Sequence, residues 1–373
     1  MPARRTLLTA ATMGAALFAT AASAQPASGG APGPLPRNEG GNGRWRPPQR
    51  IGMGGVALGN GLKIMTTEAD ALGAMQAAWD GGIRLFDTSP WYGLGVSERR
   101  MGVFLQSKLR DGFTLSTKVG RVLEPDAKMG LRDDVGNWRN APPFRYRYDY
   151  TADGTRRSIE DSLQRLGVAR IDIVYIHDLS PDNADMGDKW REQFEVARKG
   201  AIPALEKMKE EGLIKAWGLG VNRPDPILAT LEVAEPDIFL AATQYSLADH
   251  EQALKGIIPA CAAKGVSLMV GAPLNAGFLA GRDRFNYGPD IPPAMRQKRE
   301  KLLAVAKRHD TDLRVAALHF LDAQPVVSCS IPGARNAQQA RQNADALRTR
   351  VPADFWAELK REKLISAEAP VPA

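Results

Sequence analysis

From about residue 50 onward the chain repeats one pattern eight times, a short apolar, β-branched or glycine-bounded run followed by a segment with helical spacing. The apolar runs fall at 51–59, 83–89, 113–119, 171–177, 214–221, 238–245, 266–273 and 326–332. The helical segments fall at 67–80, 97–108, 154–166, 201–211, 225–232, 251–263, 296–309 and 336–347. Strands alternating with helices imply a parallel sheet, because a parallel return needs a crossover long enough to hold a helix. Eight such units in roughly 300 residues predict an α/β fold, a closed (β/α)8 TIM barrel. An open doubly wound sheet is the alternative, and it would mark a dinucleotide site with G-x-G-x-x-G opening the first helix. The stretch "GMGGVALGNG" at 52–61 lacks that spacing, so its glycines read as strand and turn residues.

The segment before the barrel obeys different rules. "MPARRTLLTAATMGAALFATAASA" carries Arg4-Arg5, a small-residue apolar stretch and Ala22-Ser23-Ala24. It predicts a twin-arginine-type export signal over 1–24, cleaved after Ala24, and hence a periplasmic protein. The stretch is too short and too weakly apolar to span a bilayer, so no stable membrane insertion is expected after cleavage. Residues 25–49 are rich in Pro and Gly without apolar periodicity and read as a flexible linker. The barrel is expected over 50–366, with a tail at 367–373.

The formal charge is +7, yet basic residues are spread along the chain apart from short runs such as "RYRY" at 145–148. Without a basic stripe or recognition-helix signature, no nucleic-acid partner is expected. Cys261 falls in a predicted helix and Cys329 in a predicted strand, which favours buried thiols and leaves a pairing open. Four histidines without paired ligand spacing predict no metal site.

A barrel places its chemistry where strands end and the following loops begin. There the sequence puts Asp87 with Tyr92 in its loop, Lys118 in "LSTKVG", His177 in "DIVYIHD", Asn222 after the fifth run and Gln244 in "ATQYS". Each alone has an ordinary reading: a turn cap, an aromatic anchor, a solvated strand end, a core histidine. Four such groups on three consecutive strand ends are expected to converge. A phenol titrates near pH 10 in water. A lysine against its oxygen lowers that value, and an aspartate beside the lysine holds the charge in place. Tyr92 then serves as a general acid or base, with His177 donating a hydrogen bond to a carbonyl oxygen. No side chain supplies hydride, so the arrangement calls for a nicotinamide cofactor.

In order and context, Asp87, Tyr92, Lys118 and His177 resemble the catalytic tetrad of the aldo-keto reductases, and "GIRLFDTSPWYGLGVSERRMG" looks like that family's first signature. The resemblance covers about residues 50–350. "STKVGR", "YDYTADGTRRSIEDSLQRLGVARIDIVYIHD" and "GAPLNAGFLA" look most like the branch of D-threo-aldose 1-dehydrogenases, or fucose dehydrogenases, and pyridoxal 4-dehydrogenase. The resemblance implies NAD or NADP as cofactor and a small carbonyl or sugar substrate. It places Asn222 and Gln244 on the nicotinamide carboxamide, although "GLGVNRP" lacks the serine of the usual motif. Gly271 stands where many members stack an aromatic ring on the nicotinamide. Leu274, Asn275 and Gly277 would lie along the pyrophosphate, and Gly333, Ala334, Arg335, Gln339 and Asn343 along the adenosine-phosphate loop, where a helix N-terminus receives phosphate. Gly333 and Gln339 stand where NADP-selective members carry lysine and arginine. This leans to NAD, with Arg335 as a charged fork for a 2′-phosphate.

The long segment 123–150 follows the third strand and is expected to cover the site, with Trp138, Phe144 and Tyr148 as walls. Phe285 and Tyr287 follow the seventh strand, and Trp91 beside the phenol is the leading substrate wall. Two other functions fit a barrel: a dinucleotide-binding sensor or partner protein with little turnover, and a glycoside hydrolase using Asp87 and Asp178 as facing carboxylates.

Overall fold

Period-two alternation along each strand builds the barrel and decides what points into it. The computed structural model describes residues 33–40, 44–133 and 135–372. The eight barrel strands are β1 (Met53–Gly54), β2 (Leu85–Asp87), β3 (Thr114–Val119), β6 (Ile173–His177), β7 (Ala216–Val221), β8 (Ile238–Ala242), β9 (Ser267–Gly271) and β10 (Val327–Ile331). They pair in that order, all parallel. Parallel bridges Ile51–Ser330 and Gly54–Gly333 join the first strand to the last and close the ring, the (β/α)8 TIM barrel expected. The two strands outside it, β4 (Arg121–Pro125) and β5 (Phe144–Tyr148), form an antiparallel hairpin.

Residues of one parity fill the lumen: Leu85, Ile173, Tyr175, Ala216, Ile238, Leu240, Met269, Cys329 and Ile331 form one buried cluster. Residues of the other parity, including Phe86, Leu115, Val174, Ile176, Trp217, Phe239 and Leu268, join the larger core shared with the helices. Asp87, Lys118 and His177 have the parity of Leu85, Ser116 and Tyr175, so the pleat directs them inward at the C-terminal rim. Gly218 shows why the lumen of β7 is so thin, since a Cβ there would lie 1.9 Å from the carbonyl oxygen of Ile238.

The helices are α1 (Glu68–Asp80), α2 (Val96–Leu105), α3 (Ala152–Leu166), α4 (Trp190–Lys199), α5 (Ala201–Glu210), α6 (Pro224–Val233), α7 (Glu251–Lys255), α8 (Ile257–Ala263), α9 (Pro293–Arg308), α10 (Leu313–Asp322), α11 (Ala337–Ala346) and α12 (Ala353–Arg361). Side chains cap several of them. Thr67 and Thr151 accept from the amides of Asp70 and Gly154, and Asn336 accepts from Gln339. The single helix expected over 251–263 breaks at Gly256, whose φ and ψ of −114° and −90° are not helical. Three helices, α4, α10 and α12, have no counterpart in the eightfold pattern, because they double or follow a barrel helix instead of opening a new unit.

The tether expectation is corrected over its described part. Arg37 and Gln49 form an antiparallel bridge, Asn38 donates to the carbonyls of Pro47 and Ser328, and Leu35 is buried. Trp45 packs against the lumen cluster. Backbone pairing and two apolar anchors suffice to fold a Pro- and Gly-rich strip onto the N-terminal ends of the strands. At the other terminus Ala369 is buried and Val371 packs on the core. The export signal read at 1–24 lies outside the described residues. Both cysteines are buried and unpaired, in α8 and β10.

Candidate active site

Strand ends β2, β3 and β6 bring Asp87, Lys118 and His177 together at one mouth, and the turn after β2 adds Tyr92. In that turn Gly93 and Gly95 take φ of 66° and 86°, a backbone closed to most side chains. Gly93 also lies so near Gly59 that a Cβ would sit 2.5 Å from its carbonyl oxygen.

Lys118 Nζ donates to both oxygens of Asp87, at 3.0 and 2.9 Å, and to the carbonyl of Thr88 at 2.8 Å. Ser116 Oγ donates to Asp87 Oδ1 at 2.8 Å. Both charges are 1% exposed. Burial pushes the Asp87 carboxyl up and the Lys118 ammonium down, and their mutual attraction and hydrogen bonds oppose both shifts. Lys118 Nζ lies over the ring of Tyr92, 4.5 Å from its centroid. Here the expectation of a lowered phenol is corrected: Lys118 lies over the ring, its hydrogen bonds go to Asp87 and Thr88, and the net shift of the phenol is upward. Burial, reinforced by the charge of Asp87, holds the Tyr92 phenol well above its ordinary value. The site thus presents a protonated acid.

His177 is held through Nδ1 by Ser89. Ser89 Oγ accepts from the Trp91 amide at 3.1 Å and lies 3.2 Å from His177 Nδ1. A hydroxyl that accepts from Trp91 can still donate to Nδ1 or accept from it, and donation to Nδ1 is the arrangement that puts the ring proton on Nε2. Burial lowers the imidazole to about 3, keeping it neutral at physiological pH. In that tautomer Nε2–H is a neutral donor beside Tyr92, whose ring centroid is 5.9 Å away.

These four residues line a cavity of about 650 Å³ at the C-terminal rim, within the range of small-ligand sites. The same cavity is lined by Trp91, Trp138, Tyr287, Asn222, Gly271, Leu274, Gly277, Gly333, Ala334, Arg335, Gln339 and Asn343. Gln244 is displaced to a smaller polar cavity that shares Asn222 and Tyr287, where its Nε2 donates to the Asn222 carbonyl at 2.5 Å. Asn275 does not line either cavity. It is fully buried and donates to Asn286 Oδ1, holding the loop after β9. Arg335 lines the site, but its guanidinium donates to the carbonyls of Gly61 and Ile64 and to Thr66 Oγ1, so the fork expected for a 2′-phosphate is occupied. Phe144, Tyr148 and Phe285 pack behind the wall: Phe144 joins the cluster under the hairpin, Tyr148 accepts from Arg121, and Phe285 meets Phe278 edge-on.

The segment between the hairpin strands reaches the site through Gly136, Asn137 and Trp138. The hairpin's "RYRY" run alternates Arg145 and Arg147 outward, to Asp126 and Glu124, with Tyr146 and Tyr148 inward. Tyr146 meets Trp91 at 4.7 Å, and Trp138 packs on both Trp91 and Tyr92 at 5.6 Å.

Sequence reading missed Arg282 and Arg284, which line the cavity beside Arg335. The acid between them, Asp283, is engaged by Arg296 and Arg299. Arg284 Nε is buried without a partner among the described residues. Burial, together with repulsion from Arg282 and Arg284, lowers Arg335 to about 10. This concentration of positive charge fits the phosphates of a dinucleotide. The signal was present in "GRDR" after the seventh strand. Asp178 also lines the site, but with Asp87 bound to Lys118 and Asp178 bound to Arg121, neither carboxylate is placed as the free acid a glycoside hydrolase needs.

The aldo/keto reductase family model matches residues 50–362. A D-threo-aldose 1-dehydrogenase from a Pseudomonas species is 35% identical over 84% of this chain and 94% of its own length. Pyridoxal 4-dehydrogenase from Microbacterium luteolum is 35% identical over 85% and 94%. Among solved structures, an aldo-keto reductase from Bacillus halodurans superposes with a TM-score of 0.63 at 23% identity, covering 86% of this chain and 93% of that one. One from Klebsiella pneumoniae, solved with NADP and acetate, gives 0.60 at 20% identity over 87% and 95%. At those identities the structures speak for the fold alone.

Proposed function

Because the chain belongs to the aldo/keto reductase family and is an NAD(P)-dependent oxidoreductase of CH–OH and carbonyl groups, we propose that it interconverts a small aldehyde, ketone or aldose with the corresponding alcohol or lactone, using Tyr92 as general acid and base. The observation that carries this reading is the buried constellation in one cavity: a protonated Tyr92, a neutral His177 donor and the Lys118–Asp87 ion pair. A bound nicotinamide dinucleotide supplies or accepts the hydride. His177 Nε2–H orients the substrate oxygen, and Tyr92 passes it a proton in reduction or removes one in oxidation. Lys118, fixed by Asp87, favours negative charge on the phenol oxygen when Tyr92 gives up its proton. Trp91, Trp138 and Tyr287 exclude water around the reacting carbon.

Cofactor residues support the same reading. Gly271 leaves room beside Leu240 and Ala242, since a Cβ there would come within 3.0 and 3.1 Å of them. The loops after β9 and β10 would take the phosphates through backbone amides and Arg282 and Arg284. The Gly333 and Gln339 positions lean to NAD, and the two arginines favour a further phosphate. Titration of the protein with NADH and NADPH decides between them. Arg282→Ala with Arg284→Ala is expected to weaken dinucleotide binding at least about tenfold. Equal binding of both cofactors by the wild type and the double variant would remove the arginines from the site, and no binding of either would sink the enzyme reading.

Export remains part of the proposal. The twin-arginine route carries folded proteins, which lets the enzyme leave with dinucleotide already bound. Periplasmic fractions are expected to hold protein with bound cofactor; apo protein alone would count against it.

A further inference from the structure

Three acids line the cavity: Asp87, Asp178 and Asp182. Both oxygens of Asp87 are taken by Lys118 and Ser116. Asp182 accepts from Ser180 Oγ through Oδ1 and from Asn222 Nδ2 through Oδ2. Asp178 Oδ2 accepts from Arg121 at 2.7 Å. Asp178 Oδ1 has no donor within hydrogen-bond geometry among the described residues, and His177 Nε2 lies 3.5 Å from it.

We infer that Asp178 determines specificity: its Oδ1 accepts a hydrogen bond from a hydroxyl on the carbon next to the reacting carbon, so the pocket selects 2-hydroxy carbonyl compounds and their vicinal diols over simple aldehydes. The inference rests on the proposed roles of Tyr92 and His177. An oxygen bound to Nε2–H lies beside Asp178 Oδ1, and in a gauche vicinal pair the second oxygen is a hydrogen-bond length from the first. The second hydroxyl then meets the carboxylate oxygen that has no donor among the described residues.

The surroundings hold this acceptor in place. The Asp178 backbone takes a left-handed φ of 49°, tolerated by aspartate more readily than by most residues. Its amide donates to the Gly220 carbonyl at 3.0 Å. Arg121 is anchored in turn, donating to Tyr148 and lying 4.5 Å over the Trp91 ring. Burial opposes the charge on Asp178, but the ion pair and hydrogen bond with Arg121 and the nearby charge of Lys118 hold the carboxyl below its ordinary value, so it is ionised at neutral pH. A partly desolvated charge with an empty acceptor position favours a hydroxyl over a methyl group in the same place, and a site built to bond a substrate hydroxyl rejects the analogue without it.

The test compares kcat and KM for lactaldehyde and propanal, which differ by that one hydroxyl, in the wild type, Asp178→Asn and Asp178→Ala. The wild type is expected to prefer lactaldehyde, and both variants to lose that preference by about tenfold or more, the strength of a charge-assisted hydrogen bond, while propanal is still turned over. An unchanged preference in Asp178→Asn, no preference in the wild type, or an equal loss with both substrates would each overturn the inference and leave Asp178 as an anchor for Arg121. Wild-type protein that turns over neither aldehyde but binds dinucleotide would overturn it as well. Failure to bind dinucleotide at all would bring down the proposed function itself, which separates the two failures.

Discussion

Replacing Tyr92 with phenylalanine is expected to lower kcat and kcat/KM together by about 10²- to 10⁴-fold, the usual worth of a positioned general acid or base, while dinucleotide affinity stays near that of the wild type. The ring of Tyr92 packs against Trp138 and under Lys118 Nζ, and phenylalanine keeps those contacts. Only the proton is lost. Single-turnover oxidation of bound reduced cofactor, read by nicotinamide absorbance, checks this directly. Retained turnover would move the acid elsewhere and leave His177 as the first candidate. Because burial keeps the free-site phenol protonated, the reductive rate of the wild type is not expected to rise as pH falls through neutrality on account of Tyr92.

The second large effect concerns stability as well as rate. Lys118→Met leaves Asp87 buried at 1% exposure without its cation, and breaking a buried pair in this way costs about 3–5 kcal/mol. The cost has a pH signature. Burial already pushes the Asp87 carboxyl up, and removing the lysine takes away what opposes that shift. A carboxyl whose folded pKa exceeds its unfolded value binds more protons in the folded state, so its contribution to stability is full below the unfolded pKa and is lost as pH rises. The variant's deficit against wild type is therefore expected to widen as pH rises through the wild-type value of Asp87, which itself lies above the ordinary Asp value near 3.9. Denaturant midpoints across that rise in pH measure it. A deficit independent of pH would mean that Asp87 finds another cation or water in the variant.

Much of this protein is legible before folding is considered. A barrel was readable because eight strand-helix units repeat with little interruption, and the tetrad because Asp87, Lys118 and His177 close three apolar runs. Where reading failed, one competing effect won in each case. Residues 33–49 have the composition of a tether, yet Leu35, Trp45 and a short backbone ladder fold their described part. Gln244 and Asn275 occupy motif positions, but their amides are spent on Asn222 and Asn286. Arg335 has a suitable charge, but three oxygens of the 61–66 loop occupy it first. Arg282 and Arg284 carried a charge signal without a spacing that distinguished them from solvated arginines.

Local sequence determined the element order, the strand parity and the chemical types at the rim, because pleat and helical period are set by neighbouring residues. Tertiary structure decided protonation and availability. Whether a phenol is acid or base, which imidazole nitrogen keeps its proton and which carboxylate oxygen has no donor all depend on burial and on partners far apart in the chain: Ser89 with His177, Arg121 with Asp178, and Asp87 with Lys118. Desolvation and hydrogen-bond competition act through space, so no spacing along the chain records them.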